Sequence, residues 1–317
     1  MKKTLLALAI AGAAVSAQAD VTISGHVSYA IGDIDEFSDR EESGSAITEG
    51  NTSTSRFRII GTTEANGITY GAKQEIAVNT NSPLSTRVNE IFISGDFGKV
   101  SLGQGSESSD DAAELDFSGT YLAGGDLDSW NLDGDADNDG ADSEDGLGFS
   151  TIDGGRTERL RYDSPKIGGI AQVSFDTQDD DDFVVRLALS GNNWKAALYS
   201  ESRDADNSDE IGGSVAAKFG GFTAAYQFAD RDSATSGGPE TDYDAVILGY
   251  RVGKYAFSID SRRNETSDDS VDTDTQGLSF VYRPTGGVEL FAGLRTVENN
   301  ITNDDADGFL LGGRVKF

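Results

Sequence analysis

The chain has 317 residues, with 55 acidic side chains against 25 Lys and Arg, a formal charge of −30, one histidine and no cysteine. That balance argues against nucleic-acid binding, which needs clustered bases for phosphate, and the missing thiols exclude disulfides and thiolate metal sites. A mean hydropathy of −0.39 suits a soluble protein and equally a transmembrane barrel, in which only alternate strand residues meet lipid.

The chain opens MKKTLLALAIAGAAVSAQAD: two lysines, an apolar run from Leu5 to Val15, then the triplet Ala17-Gln18-Ala19 before an acid. This pattern predicts a secretory signal peptide over residues 1–19, cleaved after Ala19. Its apolar run falls short of the roughly 20 residues a spanning helix needs. Residues 20–317 then form one domain.

From there the sequence alternates with period two. The pattern predicts strands near 21–34, 54–65, 67–80, 87–97, 99–107, 157–165, 170–178, 182–190, 193–203, 210–219, 221–231, 241–253, 254–264, 274–284, 286–299 and 306–317. In KYAFSIDSR, for example, Tyr255, Phe257 and Ile259 oppose Lys254, Ser258, Asp260 and Arg262. GFTAAYQF sets Phe222, Ala224, Tyr226 and Phe228 against Thr223, Ala225 and Gln227. FLLGGRVKF sets Phe309, Leu311, Val315 and Phe317 against Arg314 and Lys316.

Two kinds of connection alternate along the chain. Tight turns fall at Asn66-Gly67, Gly98-Lys99, 166–169, 191–193, Gly220-Gly221, Gly253-Lys254 and 284–287, all with residues that accept turn dihedrals. Longer polar connections span 35–53, 81–86, 108–156, 179–181, 204–209, 232–240, 265–273 and 300–305. Short turns on one side and loose loops on the other describe an all-β, 16-stranded antiparallel transmembrane β-barrel with periplasmic turns and external loops. Closure removes the exposed edges of an open sheet, and a barrel of this size encloses an aqueous channel. Phe97, Trp194, Phe219, Phe222, Tyr250, Tyr255 and Tyr282 gather near the turns as an interfacial girdle facing outer-membrane lipid.

RYDSPKIGG (161–169), ISGDFGKVSLGQG (93–105), SRFRIIGTTEANGITYGAKQEI (55–76) and the terminal Phe317 resemble the Gram-negative general diffusion porin family over essentially the whole mature chain. The resemblance implies an outer-membrane homotrimer that passively admits small hydrophilic solutes and ions, without a cofactor. It also implies a third external loop folded into the lumen as a constriction. The enteric-type PEFGG signature is absent from that loop, and the second loop, NSPLST, is short.

Strand parity selects the channel-facing groups. Phe57 and Ile59 go to lipid, so Arg56 and Arg58 face inward; Leu160 and Tyr162 go to lipid, so Arg159 and Arg161 face inward; Lys73 and Glu75 share a face. Arg87 is ambiguous, because Ile91 and Ile93 fall on its face. Wall acids such as Glu64, Glu75 and Asp163 are alternative partners that would make these arginines merely structural. Ser106 to Gly155 carries fifteen acids and no Lys or Arg. With Asp110, Asp111, Glu114 and Asp116 inside the barrel, carboxylates would confront the arginines across a constriction, and the acid excess predicts cation preference.

Within that loop, DGDADNDGADSEDG (133–146) has seven carboxylates in fourteen positions. An EF-hand register from Asp135 puts Gly140 at six but Gly146 at twelve; from Asp133 it puts Glu144 at twelve but Asn138 at six. Neither is complete. The stretch reads as a solvated, cation-concentrating mouth, with Asp133, Asp135, Asp137, Asp139 and Glu144 as weak divalent candidates. A lone His26 and no cysteine offer no nucleophile and base pair, so no catalysis is expected. The rivals are a substrate-specific outer-membrane channel, which aromatic lumen positions would favour, and a secreted calcium-binding β-rich adhesin, which the lack of repeats opposes.

Overall fold

A computed structural model describes residues 20–35, 44–48, 54–78, 84–124, 152–178, 182–203, 208–232, 238–268 and 271–317. The strands are β1 (Asp20–Asp35), β2 (Gly44–Thr48), β3 (Arg56–Ala65), β4 (Ile68–Ala77), β5 (Ser85–Gly95), β6 (Gly98–Ser106), β7 (Arg156–Asp163), β8 (Ala171–Thr177) and β9 (Phe183–Ser190). They continue with β10 (Trp194–Arg203), β11 (Ser208–Phe219), β12 (Phe222–Arg231), β13 (Thr241–Val252), β14 (Tyr255–Thr266), β15 (Asp272–Thr285), β16 (Val288–Asn299) and β17 (Asp304–Lys316).

Each strand pairs antiparallel with its neighbours, and β1 closes the ring on β17 from His26↔Lys316 to Asp35↔Asp307. The seventeen segments fill sixteen positions. β1 pairs with β3 through Asp20–His26 and with β2 through Ala30–Ile34, so β2 and β3 share one place. β2 lies inside the connection expected over 35–53. Five residues are too few to display an alternation, but β1 is sixteen residues long. Its outer half needs a partner for its backbone groups, and the returning chain supplies it.

The period-two pattern arises because one face meets lipid and the other a packed, polar lumen. Val21, Ile23, Ile91, Leu102, Leu160, Leu198, Ile211, Ile259, Leu294 and Leu311 all stand exposed on the outside. Near the turns, Phe222 and Tyr250 meet at 4.7 Å between ring centroids and Tyr255 and Tyr282 at 5.0 Å. This is the girdle expected from sequence. Tight turns take left-handed residues at Asn66 (φ 54°) and Gly67 (φ 74°).

The seam is closed by Gly25 N–H donating to the Phe317 carbonyl at 2.9 Å and Phe317 N–H to Gly25 at 3.0 Å. A Cβ on Gly25 would lie 2.5 Å from the Arg56 carbonyl oxygen and 2.7 Å from the Phe317 ring. Gly25→Val should therefore cost about 2 kcal/mol by overpacking. It should lower by several degrees the temperature at which the folded band is lost in semi-native electrophoresis. Gly61→Ala, which meets nothing within 4 Å, should not; equal shifts in the two variants would refute the seam argument.

Candidate constriction and lumen wall

The connection from β6 to β7, residues 107–155, is loop 3; residues 107–124 and 152–155 of it are described. Its first limb enters the barrel and runs along the inner wall from β8 to β16. Ser108 N–H donates to Asp176, the Ser109 hydroxyl to Glu201 at 2.7 Å, and Leu115 N–H to the Ser214 hydroxyl at 3.1 Å. Further along, Thr120 meets Ser258 at 2.6 Å. Arg283 reaches the Gly119 carbonyl at 2.7 Å, and Arg262 and Arg295 reach that of Gly124 at 2.8 and 2.6 Å.

Apolar packing holds the same limb. Ala112 and Ala113 bury against Ala197 and Tyr199, and Leu122 and Ala123 against Ala256, Val281, Phe291 and Leu310. The Phe117 ring takes the ammonium groups of Lys195 and Lys218 at 4.8 and 5.1 Å from its centroid. The limb thus lies along β8–β16, and β3–β6 stand on the other side of the ring.

That wall is cationic. Glu75, with 3% of its side chain exposed, accepts from Arg58 Nε at 2.7 Å and Arg87 Nε at 3.2 Å, and lies 3.7 Å from Arg56 Nη1. Arg87 joins this group because a bulge between Glu75↔Val88 and Ile76↔Thr86 inserts it as an extra residue. A bulge breaks parity, which resolves the ambiguity of the alternation in favour of the lumen. Lys73 stands half-buried on the same face. Glu90 takes Arg159 at 2.7 Å and Lys99 at 3.7 Å. Arg56, Arg58, Lys73, Arg87, Lys99 and Arg159 thus share two carboxylates.

The expected residues do not all act alike. Arg58 keeps its side chain open to water, 41% exposed. Arg159, 3% exposed, does not: it donates to the Ser106 and Gly103 carbonyls at 2.9 and 2.7 Å as well as to Glu90. It is a staple between β5, β6 and β7. Arg161 pairs with Asp163 at 2.8 Å and holds the carbonyls of Ser106 and Glu107 at 3.0 and 2.7 Å, fixing the root of loop 3.

The acids of the first limb do not form a facing row. Asp110 pairs with Arg156 at 3.4 Å. Asp116 turns back to accept the Ser118 N–H at 2.7 Å. Glu114 is half-buried, and Asp111, in a left-handed conformation (φ 65°), is the exposed one. Tyr121, also exposed, lies within the field of Arg56.

Where the limb enters and returns, a cavity of about 680 Å³ is lined by Glu107, Asp153, Arg156, Arg203, Arg231 and Asp232 among others. Glu107 accepts from Arg203 at 2.9 Å. Its carboxyl is nonetheless pushed up to about 7, chiefly by burial, which Arg203 opposes and Glu201 and Asp176 reinforce. Burial raises Asp153 too, helped by Asp110, Asp111 and Glu210 and opposed by the Ala113 N–H that it accepts. Asp110 shifts upward for the same first reason.

Sequence reasoning left the face of Arg87 open and missed Glu90, Glu107, Arg203 and Tyr121. Glu90 and Glu107 were visible as acids beside cationic strand positions, while Tyr121 had no signal at all. The divalent candidates Asp133, Asp135, Asp137, Asp139 and Glu144 lie outside the described residues, as does the leader 1–19. Among the described residues no group of three or more His, Asp or Glu is placed to hold a metal ion.

The fold and the family agree on what this architecture is. A family model described as Gram-negative porin matches residues 4–302, and no curated protein matches significantly in sequence. Among solved structures the chain is similar to the anion-selective porin from Comamonas acidovorans, 17% identical over 95% of this chain and 100% of that one, with a TM-score of 0.78. It is similar as well to OmpT of Vibrio cholerae in a trimer form (13%, 94% and 99%, TM-score 0.67) and to a mutant of the Rh. blastica porin (15%, 94% and 100%, TM-score 0.64). The chain belongs to the Gram-negative porin family and forms a β-barrel channel of the outer membrane.

Proposed function

We propose that the protein is a passive diffusion pore, without turnover or cofactor, whose constriction favours anions. The observation that carries this reading is the convergence of Arg56, Arg58 and Arg87 on the single carboxylate of Glu75. With Lys73 beside them, the free side of the passage holds more positive than negative charge. Fixed charge at the narrowest section sorts permeant ions by sign. The anion-selective porin of C. acidovorans, with the same fold, adds support.

Cation preference, expected from the acids of loop 3, is the second reading. It is favoured by the exposed Asp111 and by the chain's overall charge of −30. Against it, Asp110 is paired with Arg156, and Glu107 and Asp153 are held toward their neutral forms. The sign of the reversal potential in a salt gradient separates the two.

In this reading Arg56, Arg58, Lys73 and Arg87 line the passage, Arg159 and Arg161 position its frame, and residues 1–19 are a cleaved leader. The assembly is a homotrimer, as in the trimer form of V. cholerae OmpT. Light scattering of the mature protein in detergent should give three times the 20–317 mass; a monomer mass would refute the assembly and leave the pore.

A further inference from the structure

A second group of bases answers the one around Glu75. On the lumen face of β15–β17, Glu289 accepts from Arg283 Nε at 2.9 Å and Arg314 Nε at 2.8 Å, and pairs with Lys316 at 2.9 Å. The Glu289 side chain is 6% exposed, whereas Lys316 keeps 43% and Arg283 31%. Three cations around one carboxylate leave positive charge in excess, as they do where Arg56, Arg58 and Arg87 meet Glu75.

The two groups adjoin. His26 of β1 is the register partner of Lys316 on one side and of Arg56 on the other, so those two backbones lie about 10 Å apart across neighbouring strands. Asp20 and Glu64, the acids on the same face of β1 and β3, sit at the far ends of their strands. The tip of loop 3 meets both groups: the Gly119 carbonyl accepts from Arg283 at 2.7 Å, and Tyr121 stands in the field of Arg56. Arg56 also keeps its Nε buried without a hydrogen-bond partner. A buried donor left unmatched calls for an acceptor.

From this arrangement we propose that the two groups are successive stations for a divalent oxyanion, a solute with two negative charges on oxygen such as sulfate. The proposal rests on the anion-favouring pore reading above and names the solute class it serves best. A monovalent anion offsets half of the excess at each station, and a divalent one offsets all of it. One extra charge at close range in a partly screened lumen raises occupancy by about tenfold. Oxygen suits the donors, because paired guanidinium N–H groups fit two oxygens of one anion. A second station close to the first lets a bound solute move on without being trapped, which is the condition for conduction through binding sites.

The test is competition with single-channel chloride current in about 0.1 M KCl, where the Debye length is about 10 Å. Potassium sulfate is added in one series and potassium methanesulfonate, whose similar head carries a single charge, in the other. Sulfate should halve the chloride conductance at a concentration about tenfold below methanesulfonate. Lys316→Gln and Arg58→Gln change partly exposed side chains and leave the other bases of each group in place. Each should raise the sulfate concentration for half-block several-fold. Arg263→Gln, on the outward face of β14, should not move it. Equal block by the two anions, no block by sulfate in a channel with its reversal potential on the chloride side, or half-block concentrations unmoved in both lumen variants would each overturn the proposal and leave the anion-favouring pore. A reversal potential on the potassium side would instead overturn the reading on which the proposal rests.

Discussion

Replacing Glu75 by Gln should destabilise the barrel and strengthen its anion preference together. Glu75 is the one carboxylate shared by Arg56, Arg58 and Arg87, and its side chain is 3% exposed. Removing one member of a buried ion pair leaves the other charges uncompensated, at a cost of about 3 kcal/mol. The low end of the usual range applies because Arg58 reaches water and is partly screened. The same substitution removes a negative charge from the passage, so the reversal potential should move further toward the anion limit. Arg58→Ala should do the reverse to selectivity with little loss of stability, since Glu75 keeps Arg56 and Arg87. Thermal loss of the folded band reads the first effect and a KCl gradient the second. A Glu75→Gln barrel as stable as the parent, with unchanged selectivity, would remove this cluster from the constriction.

Docking of loop 3 should weaken as the pH rises through about 7. Glu107 and Asp153 have carboxyl pKa values raised in the folded protein, in both cases mainly by burial. A raised acid binds more protons in the native than in the unfolded state over the interval between the two values. Stability therefore falls with rising pH across that interval. For Glu107 the interval runs from the ordinary carboxylate range to about 7, and Asp153 extends the loss to higher pH. Once ionised, Glu107 faces Glu201 and Asp176 with Arg203 as its counter-charge, and the root of the loop is where that repulsion acts. Unfolding temperature measured from pH 5 to 9 should decline, and Glu107→Gln, which keeps a hydrogen-bond acceptor for Arg203, should flatten the decline near neutrality. A parent profile flat or rising over that range would contradict the assignment.

Much of the barrel was legible because lipid on one side and a polar lumen on the other force a two-residue period that no loop imitates. The turns declared themselves through Asn66-Gly67, Gly220-Gly221 and Gly253-Lys254. β2 was not legible, because five residues carry no period and its existence depends on the length of β1. Arg87 was hidden by a bulge, which shifts parity by one residue without a sequence mark. Parity also gave the direction of Arg159 but not its reach: it points inward yet ends in a buried cage of carbonyls and Glu90.

The path of loop 3 was out of reach for a different reason. It is set by single hydrogen bonds to distant strands, such as Ser109 to Glu201 and Thr120 to Ser258. Nothing local encodes those partners. The expected cation preference came from counting formal charges, which weighs a paired Asp110 or a buried Glu107 as heavily as a carboxylate in water.

The most direct test is single-channel recording of the mature protein in a planar bilayer across a tenfold KCl gradient. Stable conductance steps with a reversal potential on the chloride side of zero are the predicted result. A potential on the potassium side would contradict the cationic constriction and return control to the loop acids.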